Sequence, residues 1–288
     1  ITLFATFTCA LAYVQFATPA LVGTDGYYHA KMGYLIRQAG LKPAFDVLPF
    51  TILNADAYYD HHLLYHVYLS LFATVNPAVD GGLTLTQGAK MASVLLPALA
   101  FTAVWWLLQQ QQVPYASLWA ISLLAVSEAF LYRMSMPRAQ SLSLLLLVLG
   151  LNWLFQEKYR WLLPLGFVYV WAYNAFPLLL VMSGTFATAV FLTKRQLAWQ
   201  AIAYPTGGIL LGLIINPYFP ENLTFIYHHL LPKLGETAVK VGNEWSPYQT
   251  QTLLENSGFA LTIFALGIFG LAWNNKRSSH KTITTLLL

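Results

Sequence analysis

Long apolar runs separated by short polar segments dominate the hydrophobic pattern of this chain. A membrane-crossing helix needs about 20 apolar residues, and unpaired backbone is not tolerated in lipid, so these runs are predicted to be transmembrane helices. We predict eight crossings, at residues 1–22, 84–108, 114–131, 139–155, 161–176, 177–193, 198–216 and 257–273. The opening run lacks a basic start and a small-residue cleavage site, which favours a retained helix over a signal peptide.

Two amphipathic segments lie between the first and second predicted crossings. Residues 26–39 and 60–76 alternate apolar and polar positions at helical spacing, and we predict that both lie along the membrane surface. The alternative for the second segment is a crossing helix, which would invert the topology of everything that follows it.

Composition supports a membrane protein. Hydrophobic residues make up 57% of the 288 positions and charged residues only 9%, whereas about 25% of a soluble domain is charged. The single cysteine, Cys9, excludes an internal disulfide framework. We therefore predict an all-α, polytopic helical bundle, and we expect residues 1–288 to be one transmembrane domain of a longer protein with both termini incomplete.

Charge predicts which ends of the helices share a side. The short loops at 156–160, 193–196 and 274–281 are each net basic, as cytoplasmic loops are. The opposite face then holds every acidic residue except Glu157, together with six of the seven histidines. The net charge of +4 comes with no basic run or RNA-binding motif, so no nucleic-acid partner is expected.

The segment GTDGYYH places an aspartate, Asp25, where the first apolar run ends. Asp25 stands at the start of the helix predicted to end before Gly40, so one interpretation is a helix N-cap. Asp25 and His29 also share one helix face at a spacing of four residues. A carboxylate in this place can act as a general base or bind a divalent cation.

A second polar cluster, DAYYDHHLLYH, brings two aspartates and three histidines into eleven positions: Asp56, Asp60, His61, His62 and His66. Asp60 can cap the following helix, and His62 and His66 are one helical turn apart, as paired metal ligands are. The sequence lacks the catalytic glutamate of an H-E-x-x-H zinc site, so zinc is not favoured. Each histidine alone is typical of a membrane interface, but the cluster indicates a polar site.

Two arginines, Arg133 and Arg138, bracket a short loop on the predicted outer face. Arginine binds phosphate well because its planar fork donates two hydrogen bonds at once. The alternative is snorkelling to lipid headgroups. Tyr132 is assigned to the same substrate-binding group, and Glu128, one turn earlier, either pairs with Arg133 or contributes to a site.

A loop of about 40 residues follows the seventh predicted crossing, and loops of that length are usually functional. It contains Glu244 beside Trp245, a pair that can bind a sugar, since the indole stacks on the ring while the carboxylate accepts hydrogen bonds from hydroxyl groups. The alternative role of Trp245 is an interfacial anchor.

The order of these features resembles the GT-C superfamily of membrane glycosyltransferases, and the nearest branch is similar to the catalytic subunit of oligosaccharyltransferase and its bacterial relatives. The resemblance rests on an apolar first helix, then Gly23-Thr24-Asp25, the aromatic and histidine run at 27–29, a long outer loop and further helices. It implies a transmembrane catalytic domain in the bacterial inner membrane or an equivalent membrane, with its active site on the periplasmic or lumenal face.

The resemblance also implies roles for individual residues. Asp25 and Glu244 would be catalytic, and Asp25, Glu128 and Glu244 would hold a divalent cation, Mg or Mn. Where the family has an acidic pair in its second outer loop, this chain reads YRMSMPR with only Glu128 nearby. The substrate-binding residues would be His29, Asp60, His61, His62, Tyr132, Arg133, Arg138 and Trp245.

The reaction implied is transfer of a sugar or oligosaccharide from a polyprenyl-phosphate or polyprenyl-diphosphate carrier to a protein, lipid or glycan acceptor, with membrane lipid as a further partner. Two alternatives remain open. One is a transporter or flippase of lipid-linked glycans, and the other is an O-antigen ligase or polymerase.

Overall fold

The computed structural model describes residues 1–44, 58–73, 84–234 and 249–274. Across these ranges the chain is helical, with no β-strand. The helices are α1 (Thr2–Phe16), α2 (Gly26–Ala39), α3 (Leu63–Ser70), α4 (Leu85–Gln110), α5 (Ala116–Ser122), α6 (Glu128–Ser135), α7 (Gln140–Phe155), α8 (Leu162–Ala172), α9 (Pro177–Lys194), α10 (Trp199–Ile214), α11 (Glu221–Leu234) and α12 (Thr250–Asn274). The all-α class predicted from the pattern is confirmed for these residues.

Three helices in the described ranges are long and apolar enough to cross a membrane: α4, α9 and residues 250–270 of α12. A fourth crossing results if α6 and α7, which meet at a bend of 104°, form one broken span. The helices α1 and α10 are apolar but shorter. Membrane character is therefore supported by length and composition, and the remaining crossings of the predicted eight stay predictions.

The prediction of one continuous crossing at 114–131 is wrong. The helix that begins there, α5, ends at Ser122, and α6 starts at Glu128. Ser127 stands between them in an extended conformation, and its hydroxyl accepts a hydrogen bond from the amide of Phe130. The same hydroxyl lies 3.0 Å from that of Ser257 on α12. A helix start capped in this way interrupts the apolar run, which the hydropathy pattern alone does not show.

The two amphipathic segments pack against each other. The bounds of α2 match the prediction, and Gly40 closes the helix by donating its amide to the carbonyl of Ile36. In its described part, residues 60–73, the second segment forms α3, whose eight residues span about 12 Å, too short for a crossing. A Cβ atom on Gly33 would lie 2.8 Å from the Cβ of Leu69, so the small residue allows α2 and α3 to approach closely.

A buried lysine at the start of α4 anchors the end of α1. Lys90 donates from Nζ to the carbonyl of Gln15 at 2.6 Å and also to that of Thr18. The carbonyl of Gln15 lies in the last turn of α1, where a cation is favoured by the helix dipole, and that of Thr18 lies just beyond the helix. Gly23 follows with φ of 77° and lies against Met136. A left-handed conformation at Gly23 turns the chain into α2, and this turn places Asp25.

Opposite ends of α7 carry two ion pairs. Before the helix, Arg138 pairs with Asp25 at 3.2 Å, and after it Glu157 pairs with Lys194, the last residue of α9, at 3.3 Å. The second pair joins the loops at 156–160 and 193–196, which were predicted to share a side. The third basic loop of that prediction lies outside the described residues beyond Asn274.

Candidate functional site

The candidate site begins at the ion pair between Asp25 and Arg138. Asp25 occupies the N-cap position of α2, but its side chain makes no capping hydrogen bond. Its Oδ2 atom lies 3.2 Å from Nη2 of Arg138 instead, with Asp25 51% and Arg138 15% exposed. The capping interpretation therefore does not account for the carboxylate, which joins two parts of the chain more than a hundred positions apart in sequence.

This ion pair borders a cavity of about 610 Å³. The described residues that line it are Asp25, Tyr28, His29, Lys31, His61, His62 and Arg138. Its wall thus combines one carboxylate, two permanent cations and three imidazoles. A cavity with this lining can bind an anion next to a hydroxylated ligand, because imidazole and carboxylate groups accept hydrogen bonds from hydroxyls while the cations attract the anion.

A buried chain of hydrogen bonds runs behind the cavity wall. Nδ1 of His29 lies 2.7 Å from Nε2 of His66, and Nδ1 of His66 lies 2.7 Å from Oδ2 of Asp60. The other oxygen of Asp60 accepts a hydrogen bond from the backbone amide of His62 at 3.0 Å. All three side chains of the chain are at most 2% exposed. We call Asp60, His66 and His29 the imidazole relay.

The position of Asp60 differs in detail from the capping role predicted for it. The N-cap residue of α3 is His62, and Asp60 stands two positions earlier. Its carboxylate accepts one backbone amide from the chain entering α3 and one imidazole N–H from within α3. This arrangement explains why an aspartate can remain in a buried position, since both of its oxygens are hydrogen-bonded.

His61 and His62 form the remaining imidazole wall. Their ring centroids are 4.0 Å apart, and His62 also stacks on Tyr173 at 5.1 Å. Nδ1 of His62 is buried and has no hydrogen-bond partner within the described ranges. An unpaired buried imidazole nitrogen is costly, so packing His62 into this wall lowers the stability of the fold.

Burial and nearby charges keep two of these imidazoles, those of His29 and His62, neutral. Burial lowers the pKa of His29 well below its ordinary value of 6.5, and further causes are the charges of His66, Arg138 and His61. Burial also lowers the pKa of His62 well below 6.5, with smaller effects from His61, His29, His66 and Arg138. Neutral imidazoles can accept a proton, which protonated ones cannot.

Tyr28 lines the cavity and is hydrogen-bonded to a second tyrosine, Tyr58. The hydroxyl groups of Tyr28 and Tyr58 lie 2.7 Å apart, and the ring of Tyr58 meets that of Tyr218 edge to face at 6.0 Å. Burial is the main cause that raises the pKa of both Tyr28 and Tyr58 above the ordinary tyrosine value, with the charge of Asp60 second. These hydroxyls therefore remain protonated donors.

The structure brings together part of the residue set predicted from sequence. Asp25, His29, His61, His62 and Arg138 line one cavity, and Asp60 lies directly behind it. Glu128, Tyr132 and Arg133 lie on α6, which ends three residues before Arg138. Glu244 and Trp245 lie outside the described residues. The catalytic, substrate-binding and metal-binding roles assigned to all of these residues stay predictions.

Sequence reasoning missed three contributors. The spacing of His66 from His62 suggested a metal ligand, whereas His66 is the middle member of the relay. Tyr28 and Lys31 also line the cavity. The available signal was the helical spacing of α2: Tyr28, Lys31 and Asp25 stand within two turns of one another, so a site at Asp25 makes its helical neighbours candidates as well.

Within the described ranges, no group of three histidine, cysteine, aspartate or glutamate side chains is arranged to hold a metal ion. Of the predicted ligands, Asp25 pairs with Arg138 and Glu128 is exposed at the start of α6. Glu244, the third, is outside those ranges, so the predicted Mg or Mn site stays a prediction.

Comparison with known proteins adds no relative: no protein-family model, curated protein or solved structure matches this chain.

Proposed function

We propose that this protein is a membrane glycosyltransferase of the GT-C type, which moves a sugar or oligosaccharide from a polyprenyl-phosphate or polyprenyl-diphosphate carrier to a protein, lipid or glycan acceptor. The observation that carries the proposal is the Asp25–Arg138 ion pair at the edge of a cavity lined by imidazoles. Such a transfer needs groups that bind a phosphate leaving group beside groups that hold an acceptor.

The cations of the cavity are assigned to the phosphate. When the bond between the sugar carbon C1 and the phosphate oxygen breaks, the electron pair stays on that oxygen. Arg138 and Lys31 both line the cavity, and positive groups placed there in advance stabilise the charge that develops. Arg138 is 15% exposed, so its field is screened less by water than that of a surface arginine.

The carboxylate is assigned to the acceptor. Asp25 removes or orients the proton of the acceptor's O–H or N–H group while that atom forms its new bond to C1. With an exposure of 51%, Asp25 can meet an acceptor arriving from outside the cavity. Its pairing with Arg138 holds acceptor and leaving group close together, which lowers the entropy cost of the reaction.

The membrane helices fit a lipid-linked donor. A polyprenyl tail stays in the bilayer, so the protein must bind the attached phosphate at the ends of its membrane helices. Arg138 immediately precedes α7, and Asp25 lies in the connection from α1 to α2. The proposal places this end of the bundle on the periplasmic or lumenal face and the Glu157–Lys194 end on the cytoplasmic face, in keeping with the basic loops there.

The remaining predicted residues complete the proposal. Arg133 and Tyr132 would contact the carrier near α6, and Glu244 with Trp245 would contact the sugar from the long outer loop. A divalent cation, Mg or Mn, would assist the leaving phosphate, with Asp25, Glu128 and Glu244 as its ligands. The alternatives are a flippase and an O-antigen ligase or polymerase.

The test uses purified protein in detergent with short-chain polyprenyl monophosphate hexose and polyprenyl diphosphate N-acetylhexosamine, each radiolabelled in the sugar. Membrane extract supplies lipid, glycan and protein acceptors. We expect label to leave the carrier for an acceptor. If label stays on the carrier in detergent but crosses the bilayer of proteoliposomes, the protein is a transporter and the proposal is wrong.

A further inference from the structure

The hydrogen-bond directions of the relay follow from the chemistry of its three members. The carboxylate of Asp60 can only accept a hydrogen bond, so Nδ1 of His66 carries the proton of the bond between the two residues. In a neutral His66 the other nitrogen, Nε2, must then accept. Nδ1 of His29 therefore donates to it, and Nε2 of His29 keeps a lone pair.

That lone pair belongs to the cavity. His29 lines the cavity, and its Nδ1 atom is occupied by His66. Nε2 is thus the ring nitrogen that remains for a bound group. With the tautomer fixed by two buried partners, His29 presents a proton acceptor in one orientation, which is the arrangement that general-base catalysis requires.

From this geometry we infer that His29 removes the proton of the acceptor group during glycosyl transfer. The resulting positive charge then moves away from the cavity to His66, which lies beside the Asp60 carboxylate. This inference rests on the proposed function. It assigns removal of the acceptor's proton to His29, so that Asp25 orients the acceptor. It makes His29 a catalytic residue and makes His66 and Asp60 positioning residues.

The proton and electron movements balance. The acceptor atom forms a bond to C1 as the bond from C1 to the phosphate oxygen breaks, and the acceptor's proton moves to Nε2 of His29. The Nδ1 proton of His29 passes to Nε2 of His66, so His29 is neutral again and His66 is an imidazolium beside the Asp60 carboxylate. The reverse shift returns the proton of His66 to Nδ1 of His29, and the proton on Nε2 of His29 then leaves with the phosphate or to water.

The surroundings explain why the charge ends on His66. The titratable and charged groups around His29 are Asp25, Tyr28 and Lys31 from α2, His61 from the chain before α3, His62, Tyr65 and His66 in or at the start of α3, and Arg138 from the chain before α7. Arg138 disfavours a second positive charge on His29. His66, by contrast, lies 2.7 Å from the carboxylate of Asp60.

The first arm of the test reads the hydrogen bonds directly and needs no turnover. Protein labelled with ¹⁵N-histidine is studied by NMR in nanodiscs, with His29→Gln and His66→Gln samples to assign the signals. We expect a scalar coupling between Nδ1 of His29 and Nε2 of His66, a protonated Nδ1 and a bare Nε2 on His29. A proton on Nε2 of His29 with a bare Nδ1 would overturn the inference.

The second arm measures transfer as a function of pH. General-base catalysis contributes about a hundredfold or more, so His29→Gln should lower the rate by about that factor, with partial rescue by free imidazole. Asp60→Asn and His66→Gln should shift the midpoint of the pH–rate profile, which a merely structural role would leave in place. The matched control is His228→Gln, an exposed histidine on α11, which should leave rate and profile unchanged.

The two claims fail in different ways. Lack of turnover of every lipid-linked sugar by the unmodified protein contradicts the proposed function. Turnover that survives His29→Gln with its pH profile intact contradicts the relay alone, and the glycosyltransferase assignment then stands with Asp25 as the base.

Discussion

The two ends of α7 carry the same kind of ion pair in different surroundings. At one end Arg138 is 15% exposed and its partner Asp25 borders a cavity, whereas at the other Lys194 and Glu157 are 48% and 61% exposed. A surface pair of the second kind contributes about 0–1 kcal/mol. Charge alone therefore does not mark a site here. The cavity end is distinguished by burial and by imidazoles that arrive from a separate part of the chain.

Distance separates the two ends as well. With 16 residues, α7 is about 24 Å long, close to the thickness of a bilayer's hydrocarbon core. Each pair also joins segments that are far apart in sequence, the cavity pair linking the α1–α2 connection to α7 and the other linking α7 to α9. The comparison therefore predicts that substitutions at the cavity end change activity and that those at the other end do not.

The largest expected effect is that of Arg138→Gln on transfer. Removing a positive group that stabilises the leaving phosphate should lower kcat by about a hundredfold to a thousandfold. The matched change at the other end, Lys194→Gln, should leave kcat within about twofold of the unmodified value. Both are measured by release of labelled sugar from the carrier. Equal losses in the two variants would remove the distinction between the ends.

A smaller effect is expected from a methyl group placed at the start of α2. A Cβ atom on Gly26 would overlap the ring of Pro137, so Gly26→Ala must push α2 away from the segment that carries Arg138. Overpacking of this kind costs about 1–3 kcal/mol, and transfer should fall with it. The measurements are thermal unfolding in detergent and transfer rate.

The control for that change is Gly184→Ala on α9, the helix that ends at Lys194. A Cβ atom there has nothing within 4 Å. Alanine in place of glycine inside a helix should stabilise by about 0.5–1 kcal/mol and leave transfer unchanged. A loss of activity in Gly184→Ala equal to that in Gly26→Ala would contradict the comparison.

Acid should destabilise the protein through the cavity end. The pKa values of His29 and His62 are lowered below 6.5 in the folded protein, mainly by burial. Below pH 6.5 the unfolded chain therefore binds more protons than the folded one, and the free energy of unfolding falls as pH falls. The unfolding temperature should drop between pH 7 and pH 5, and His62→Phe should reduce that drop. An unchanged pH dependence in this variant would show that His62 does not cause it.

The smallest effect is expected at the exposed pair. Glu157→Gln should change the free energy of unfolding by less than about 1 kcal/mol, because both side chains are about half exposed and screened by water. The effect should shrink further in high salt. Denaturation of the variant at two salt concentrations checks this, and a loss well above 1 kcal/mol would mean that the pair holds α7 and α9 together.

Sequence patterns predicted the parts of this site that depend on position within one element. The bounds of α2 followed from helical spacing. The charges of the loops predicted that Asp25 and Arg138 share one side of the membrane, and their contact at 3.2 Å was found only in the structure. The His29–His66 bond did not follow, because it joins residues 37 positions apart and depends on how closely α2 packs on α3. A periodic pattern shows which face of a helix is polar, but not which other helix faces it.

The break between α5 and α6 escaped prediction for a related reason. Residues 123–127 are apolar enough to continue a helix, yet α5 ends at Ser122 and the next helix begins where Ser127 caps α6 and contacts α12. Such a contact between distant segments overrides the local hydropathy pattern. Lys90 is a second example of a contact that the local pattern does not show. It lies near the start of a helix able to span the membrane, and its ammonium group donates hydrogen bonds to carbonyls at and just beyond the end of α1.

The most direct test of the central claim compares Asp25→Asn with Glu157→Gln in transfer from a labelled polyprenyl-phosphate sugar, using protein whose thermal unfolding matches that of the unmodified chain. Both changes replace a partly exposed, ion-paired carboxylate with its amide. We predict that Asp25→Asn lowers transfer by about a hundredfold or more and that Glu157→Gln leaves it unchanged. Full activity in Asp25→Asn would contradict the account.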